Sequence, residues 1–178
     1  MSTLYVDNLE PNLGSQVAIP DLKPLAGSVV QAKQAVDTTE VQVSSEGGGT
    51  TWHDGGAVVT ITPTAASSKV LILNSAAGIH SPTTSGSLGC RILRNINGGG
   101  WNVVSQRARQ GYGGAALGTY YGVSWDYNYL DSPNTTSSVQ YKIQFNMEKA
   151  GNLRYNSDDG SYSPATSESS LIVMEIAQ

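Results

Sequence analysis

Aromatic side chains in Gly- and Ser-rich segments are the residues of this sequence best suited to binding chemistry. An exposed aromatic ring beside Asn and Ser offers a sugar ring a stacking face and adaptable hydrogen bonds. The alternative is that these rings fill the ends of the fold or the interfaces between subunits. The candidate glycan contacts are Trp52, Trp101, Tyr112, Tyr155 and Tyr162.

Residue types that act in catalysis are present but not grouped. The two histidines, His53 and His80, lie far apart in the chain. Asp54 follows His53, yet adjacent residues of an extended chain point to opposite faces, so the pair is badly placed to activate a serine. Glu148 and Glu168 share no sequence context that indicates a glycosidase pair. We therefore expect no catalytic residues and a protein that is not an enzyme.

Signals for metals and cofactors are equally weak. A zinc site needs three or four ligands from His, Cys and carboxylates, and the sequence shows no such grouping. The segment 156–161 lacks the acid spacing and the distal Glu of a calcium loop. Gly47–Gly49 is not followed by the Lys and the helix of a phosphate-binding loop. We expect neither a metal nor a cofactor.

The charge and hydropathy of the chain argue against two classes of partner, nucleic acids and membranes. The 178 residues carry a formal charge of −4, whereas nucleic-acid binding needs clustered Lys and Arg. The one local basic group is Arg91, Arg94, Arg107 and Arg109. On a strand Arg107 and Arg109 would share a face, which is typical of a solvated strand edge or of interface ion pairs; an anion site is the less favoured alternative. No apolar run is long enough to cross a bilayer, and the N-terminus has no signal-peptide pattern. We expect no nucleic-acid partner, no membrane insertion, synthesis in a reducing cytoplasm and a buried Cys90.

The elements that would position the candidate residues are strands. The stretch Tyr129–Met147 opens with a turn cluster at Asp131–Asn134 and then alternates apolar with polar residues. A period of two is typical of a strand with one dry face and one wet face. The apolar set, which we expect to line the core, is Val139, Tyr141, Ile143, Phe145 and Met147.

Other short runs of this kind indicate further strands. A hairpin around Asn95–Gly100 and several similar runs bring the expected total to roughly eight to ten strands. Charged residues are only 13% of the chain, and no segment has the spacing of a long amphipathic helix. The sequence therefore predicts an all-β fold, an antiparallel β-sandwich of jelly-roll type.

Two of the runs, Val70–Leu73 and Leu171–Met174, are apolar at every position. A sandwich has one inner face per sheet, so a strand that is apolar on both faces indicates that another subunit covers the outer face. We predict a homotrimer on this basis. The interface is predicted to contain Val70, Ile72, Ile172 and Met174.

The first part of the chain differs from the rest. Residues 1–28 carry spaced apolar side chains broken by several prolines, too few to close a core alone. We interpret this segment as an N-terminal anchor and residues 29–178 as a β-sandwich head domain; a flexible tail is the alternative. The side chains predicted to dock are Leu4, Val6, Leu9, Val17 and Ile19.

Four stretches of the sequence form recognisable motifs: STLYVDNLEPNLGSQVAIPDL at residues 2–22, ITPTAASSKVLIL at 61–73, LDSPNTTSSVQYKIQF at 130–145 and SSLIVMEIAQ at 169–178. They resemble a family of bacteriophage fibre and virion proteins that is frequent in marine and cyanobacterial phages. The resemblance implies a jelly-roll-like head, usually trimeric, related in shape to the heads of complement and tumour-necrosis-factor proteins. It also implies an N-terminal segment that seats the protein on the particle.

These observations lead to two alternative functions. The first is a non-enzymatic phage virion protein, made in the host cytoplasm, that forms a trimeric fibre, spike or capsid decoration. Its N-terminus would attach to tail or capsid proteins, and its head would face the host surface and its glycans. The alternative is a carbohydrate-binding β-sandwich module that is not part of a virion.

Overall fold

The computed structural model describes residues 24–46, 51–82, 86–113, 121–124, 126–147, 151–156 and 167–178. In these ranges the chain forms twelve strands and no helix. The strands are β1 (Val29–Asp37), β2 (Val41–Glu46), β3 (His53–Ile61), β4 (Lys69–Ser75), β5 (Ala77–Pro82), β6 (Gly86–Ile96), β7 (Asn102–Gly113), β8 (Tyr121–Ser124), β9 (Tyr127–Asp131), β10 (Val139–Met147), β11 (Gly151–Tyr155) and β12 (Ser169–Ile176).

The strands pair antiparallel in three four-stranded sheets. Their orders are β1-β12-β4-β9, β2-β11-β5-β8 and β3-β10-β6-β7. After short interruptions β1 continues into β2, β4 into β5 and β8 into β9. The first two sheets thus follow the same four strand paths and form one layer, which we call the front layer. The sheet β3-β10-β6-β7 forms the back layer.

The core lies between the two layers. Val70 and Val173 from the front layer join Ile92 and Ile143 from the back layer in one buried cluster. In both layers, neighbouring strands are often far apart in the chain, as β12 is from β1 and β4, and β10 is from β3 and β6. Two packed layers of antiparallel strands with this order form a jelly-roll β-sandwich. The predicted fold class is confirmed.

Strand β10 is central in the back layer, between β3 and β6. All five of its predicted core residues are buried, with exposed fractions from 0% to 4%. Phe145 stacks between Tyr155, at 5.1 Å between ring centroids, and His53, at 5.8 Å. The two-residue period of this strand therefore predicted its inner face correctly.

Cys90 lies on β6 beside this aromatic group and has no exposed surface. Its neighbour across the sheet is Phe145. Burial raises the pKa of the thiol to about 12, although the nearby Arg107 charge opposes the shift. The cysteine thus acts as a small buried hydrophobe, as its alternation with Leu88 and Ile92 indicates.

The Asp131 carboxylate, which is buried, hydrogen-bonds the turn cluster before β10 to the back layer. Arg94 Nη1 donates to both carboxylate oxygens of Asp131, at 2.9 Å each. The Tyr141 hydroxyl donates to Asp131 Oδ2 at 2.7 Å. Burial, and next the Asp131 carboxylate, raise the pKa of Tyr141, so the phenol stays protonated as the donor. One carboxylate therefore joins the end of β9 to both β6 and β10.

The hairpin between β6 and β7 is built on a tight turn. Asn97 and Gly98 have φ values of 49° and 76°, and Gly99 N–H donates to the Ile96 carbonyl at 2.9 Å. Positive φ at both central residues is the type I′ turn that matches the twist of antiparallel strands, and Asn-Gly is its preferred sequence. The predicted hairpin is confirmed.

Gly56 is required where β3 passes the end of β1. Its φ is +82°, and a Cβ atom there would lie 1.6 Å from Asp37 Oδ2. We expect Gly56→Ala to lower the free energy of unfolding by more than about 1 kcal/mol, because a side chain at positive φ is strained and Asp37 must also move. Denaturant titration measures the loss.

Gly98→Ala is the matched control for this change. Gly98 has a similar φ of +76°, but nothing lies within 4 Å of the added Cβ atom. The two variants share the backbone strain and differ in the contact with Asp37. An equal loss of stability in both would show that the contact at Gly56 has no effect.

The predicted anchor residues Leu4, Val6, Leu9, Val17 and Ile19 lie outside the described residues. At the predicted boundary, Gly27 N–H donates to the Ala177 carbonyl at 2.8 Å, and Ala177 N–H donates to the Ser28 carbonyl at 2.9 Å. The chain is therefore paired with the end of β12 immediately before β1 begins.

Candidate functional site

The outward faces of the two layers differ in chemistry. The back layer combines a polar row with the exposed apolar residues Val58 and Val103, whereas the first sheet of the front layer is apolar across its strands. On the front layer, Ile172 and Met174 of β12 point outward and are half-buried. Their partners across the sheet are Leu73 and Leu71 of β4, and Leu71 is in turn paired with Leu130 of β9. Directly opposite residues of paired strands lie on the same face. The apolar face of the front layer is defined by Leu71, Leu73, Leu130, Ile172 and Met174.

This apolar face is open to solvent in the single chain. Leu130 is 46% exposed, and Val36 at the β1 edge is 51% exposed. Ala32, the β1 partner of Met174, is also exposed. Apolar side chains therefore extend across all four strands of the sheet, which is the extent expected of a surface that another protein covers.

Two residues of the predicted trimer interface do not lie on this surface. Val70 and Ile72 have no exposed surface and pack in the core of the sandwich. Their neighbours Leu71 and Leu73 take the outward positions on β4. The assignment of Val70 and Ile72 was wrong because every position in the run 70–73 is apolar, and periodicity alone does not show which alternate set faces the core.

The outward face of the back layer carries a connected polar row. Asp54 of β3 accepts hydrogen bonds from Lys142 Nζ at 2.9 Å and from Gln144 Nε2 at 2.7 Å. Gln144 Oε1 accepts from the Arg91 guanidinium at 2.8 Å through Nε and at 2.6 Å through Nη2. Three strands thus contribute to one chain of charged and amide groups.

A tryptophan lies at each end of this row. The Arg91 Cζ atom is 4.2 Å from the centroid of the Trp52 ring, and Lys142 Nζ is 4.6 Å from that of Trp101. Both are cation–π contacts, which orient the rings as well as the cations. We call this surface the tryptophan face. It consists of Trp52, Asp54, Arg91, Trp101, Lys142 and Gln144.

Gly89 makes room for the Trp52 ring on the surface of the sheet. A Cβ atom at this position would lie 3.3 Å from the ring atom Cη2 of Trp52 and 2.2 Å from Oδ1 of Asn146. Gly89 is paired with Asn146 across the sheet. Any side chain at position 89 would therefore displace Asn146 and press on the ring.

The charges of the tryptophan face are fixed by their contacts. Burial alone would raise the pKa of Asp54, but the hydrogen bonds from Lys142 and Gln144 outweigh it and hold the pKa below its usual value. Burial lowers the pKa of Arg91, and Asp54 opposes that shift. Arg stays protonated in proteins. Two cations and one anion therefore lie on this surface, where the side chain of Asp54 is 56% exposed and that of Lys142 only 13%.

The other predicted glycan contacts do not join this surface. Tyr155 is 1% exposed and stacks on Phe145 in the core, so its assignment as a glycan contact was wrong. Its strand buries alternate residues, and Tyr155 follows Leu153 on the buried side. Tyr112 lies on β7, but its side chain is outside the described part of the structure, as is all of Tyr162.

Four members of the tryptophan face were not among the sequence candidates: Asp54, Arg91, Lys142 and Gln144. In the sequence, Lys142 and Gln144 are two of the polar positions that alternate with the apolar set of β10, which indicates only that they face solvent. Their partners come from strands far away in the chain, so only the sheet register brings them together. The sequence signal for this surface was the pair of tryptophans in Gly- and Ser-rich segments, Trp52 and Trp101.

The geometry provides no catalytic grouping among the described residues. His53 stacks on Phe145, while Asp54 points to the opposite side of β3 and bonds to Lys142 and Gln144. In the same ranges, no three His, Cys, Asp or Glu side chains come together in a way that could hold a metal ion. A helix capable of spanning a membrane is likewise absent from the described part of the chain.

A recess of about 340 Å³ opens at one end of the sandwich. Two of its lining residues, Thr64 and Ser68, hydrogen-bond to the buried carboxylate of Glu175, as does Gln31. Burial alone would raise the pKa of Glu175, but these bonds outweigh it and lower the pKa to about 2. Because the carboxylate is committed to structural partners, we assign this recess no binding function.

Comparisons with known proteins give distant structural neighbours. No family model matches the sequence, and no curated protein matches it. A subviral particle of VP2 from infectious bursal disease virus aligns with a TM-score of 0.42 and 15% identity, over 84% of this chain and 38% of that chain. Eiger TNF from S. frugiperda aligns with a TM-score of 0.42 and 11% identity, over 83% and 92%. The chain thus spans well under half the length of the viral protein.

Proposed function

We propose that this protein is a non-enzymatic structural component of a phage virion, a trimeric fibre, spike or decoration protein. The observation that carries the proposal is the apolar face, which crosses all four strands of the sheet β1-β12-β4-β9. A jelly-roll head with such a surface functions through its interfaces.

The apolar face is proposed to be the trimer interface. Burying it removes apolar surface from water, which is worth about 25 cal/mol per Å². Its middle rows, Met174–Leu71 and Ile172–Leu73, are uncharged, so burial leaves no ion without a partner. Gln34 and Asn128 extend the Ile172–Leu73 row at both sheet edges, where a polar rim is usual for an interface.

The N-terminal segment, residues 1–28, is proposed to attach the trimer to tail or capsid proteins through Leu4, Val6, Leu9, Val17 and Ile19. The head then remains available to the host surface. The competing function, a carbohydrate-binding module outside any virion, shares the sandwich fold and is favoured only by the tryptophan face. Detection of the protein in purified particles, at copy numbers in multiples of three, separates the two; absence from particles contradicts the virion proposal.

The double variant Leu71→Asp with Met174→Asp tests the trimer. These adjacent residues would place two charges in a buried interface, at a cost of several kcal/mol per subunit. We expect light scattering to give three chains for the wild type and one chain for the variant. The melting temperature is measured alongside, since both side chains are on the outer surface of the head.

Val58→Asp is the matched control for this experiment. Val58 is an outward apolar residue, 43% exposed, on the back layer. It receives the same change of chemistry outside the proposed interface and should remain trimeric. A wild-type monomer, or a folded double variant that stays trimeric, would contradict the proposed interface.

A further inference from the structure

We propose that the tryptophan face of the back layer binds an acidic saccharide. The inference concerns the opposite side of the domain from the proposed trimer interface and does not depend on the virion role. It rests on the arrangement of Trp52, Asp54, Arg91, Trp101, Lys142 and Gln144 on one open sheet surface.

The surface combines the two kinds of contact that a sugar needs. Trp52 and Trp101 supply ring faces at its two ends, and Trp101 is 37% exposed. Between them, Asp54 provides acceptor oxygens, while Arg91, Lys142 and Gln144 provide N–H donors. Saccharides present apolar ring faces together with hydroxyl groups that both donate and accept, so this surface complements them on both counts.

The side chains are held in place before any ligand arrives. Arg91 and Lys142 are each fixed by a hydrogen bond and by the adjacent tryptophan ring. Gly89 lets Trp52 lie close to the sheet. Ordering flexible side chains costs free energy on binding, and a surface that is already ordered avoids most of that cost.

The balance of charge indicates an acidic ligand. Arg91 and Lys142 are cations and Asp54 is the one carboxylate in the row, which leaves a local excess of positive charge on a protein whose formal charge is −4. Arg91 uses only part of its N–H donors on Gln144. A sugar carboxylate would accept from these donors, and its charge would be attracted to the row.

The test is an array of defined glycans that contains uronic-acid and sialic-acid sugars beside neutral ones, probed with the full chain. We expect retention on acidic glycans, weakened by added salt because exposed charges are screened. The best acidic glycan is then titrated against variants. Trp52→Ala and Trp101→Ala should each lower the affinity roughly tenfold or more, as removal of a central aromatic contact does.

Two further variants make the experiment decisive. Thr60→Ala is the control. It changes an exposed residue of β3, the strand that carries Asp54, and the variant should bind like the wild type. Lys142→Met keeps an unbranched apolar side chain and should reduce the preference for acidic over neutral glycans. Melting temperatures show whether each variant is folded. If Trp52→Ala is unfolded, the affinity of the Trp101→Ala variant decides the test, because Trp101 is exposed.

Three outcomes overturn the inference. One is retention of no acidic glycan on the array. Another is equal retention of neutral and acidic glycans, which removes the role of the charges. The last is wild-type affinity in a folded Trp101→Ala variant. None of these results depends on whether the protein is trimeric or part of a particle, so they leave the proposed function to its own test.

Discussion

Replacing Phe145 by Ala is expected to lower the free energy of unfolding by about 3–5 kcal/mol. The ring has no exposed surface and lies between Tyr155 and His53, with centroids 5.1 and 5.8 Å away. Its loss removes apolar surface from the core and leaves a cavity where the two layers meet. Surrounding strands on both sides limit how far the structure can collapse into that space.

Equilibrium denaturation with urea measures this effect, and Gln140→Ala provides the control. Gln140 is on the same strand but faces away from the core, and its side chain is only half-buried. We expect its replacement to change stability by less than about 1 kcal/mol. Comparable losses at positions 145 and 140 would show that the inner face of β10 is assigned incorrectly.

Asp131→Ala is expected to lower the free energy of unfolding by a similar amount, about 3–5 kcal/mol, because it removes a buried charge from its partners. The Asp131 side chain is 6% exposed and accepts from Arg94 and from the Tyr141 hydroxyl. Without it, a partly buried guanidinium loses its anion, and a fully buried phenol loses its acceptor. Leaving buried polar groups without partners costs more than the intact bonds contribute.

The control for this variant is Asp126→Ala. Asp126 is exposed and its hydrogen bond, from Ser124 Oγ at 2.8 Å, is local. Exposed contacts of this kind contribute little to stability. Thermal melting of both variants distinguishes the two sites. A loss at Asp131 no larger than the loss at Asp126 would mean that the link between β9, β6 and β10 does not stabilise the fold.

The sequence predicted the fold where local pattern and tertiary environment agree. On β10, polar residues occupy every second position, so the inner face was identifiable without the structure. On β4 and β12 both faces are apolar. One face packs in the core, and the other forms part of the outward apolar face of the front layer. Local periodicity cannot separate these two causes, which is why Val70 and Ile72 were assigned to the surface.

The candidate site was predictable only in part, for a related reason. Trp52 and Trp101 were identified by residue type and by their Gly- and Ser-rich surroundings. Their connection through Arg91, Gln144, Asp54 and Lys142 depends on which strands become neighbours, and those contacts span 53 to 90 positions of the chain. Tyr155 was the opposite case. An aromatic residue in a Gly- and Ser-rich segment suited a binding site, but the alternation along β11 places its side chain in the core.

The position of β12 between β1 and β4 has a consequence for synthesis of the protein on the ribosome. The two strands on either side of β12 emerge first, yet neither can complete its pairing until β12 has been made. Until then, β1 and one edge of β4 are open to other chains. Pairings between distant parts of a chain also form slowly. Nascent chains of this protein should therefore depend on chaperones that shield strand edges until translation has passed β12.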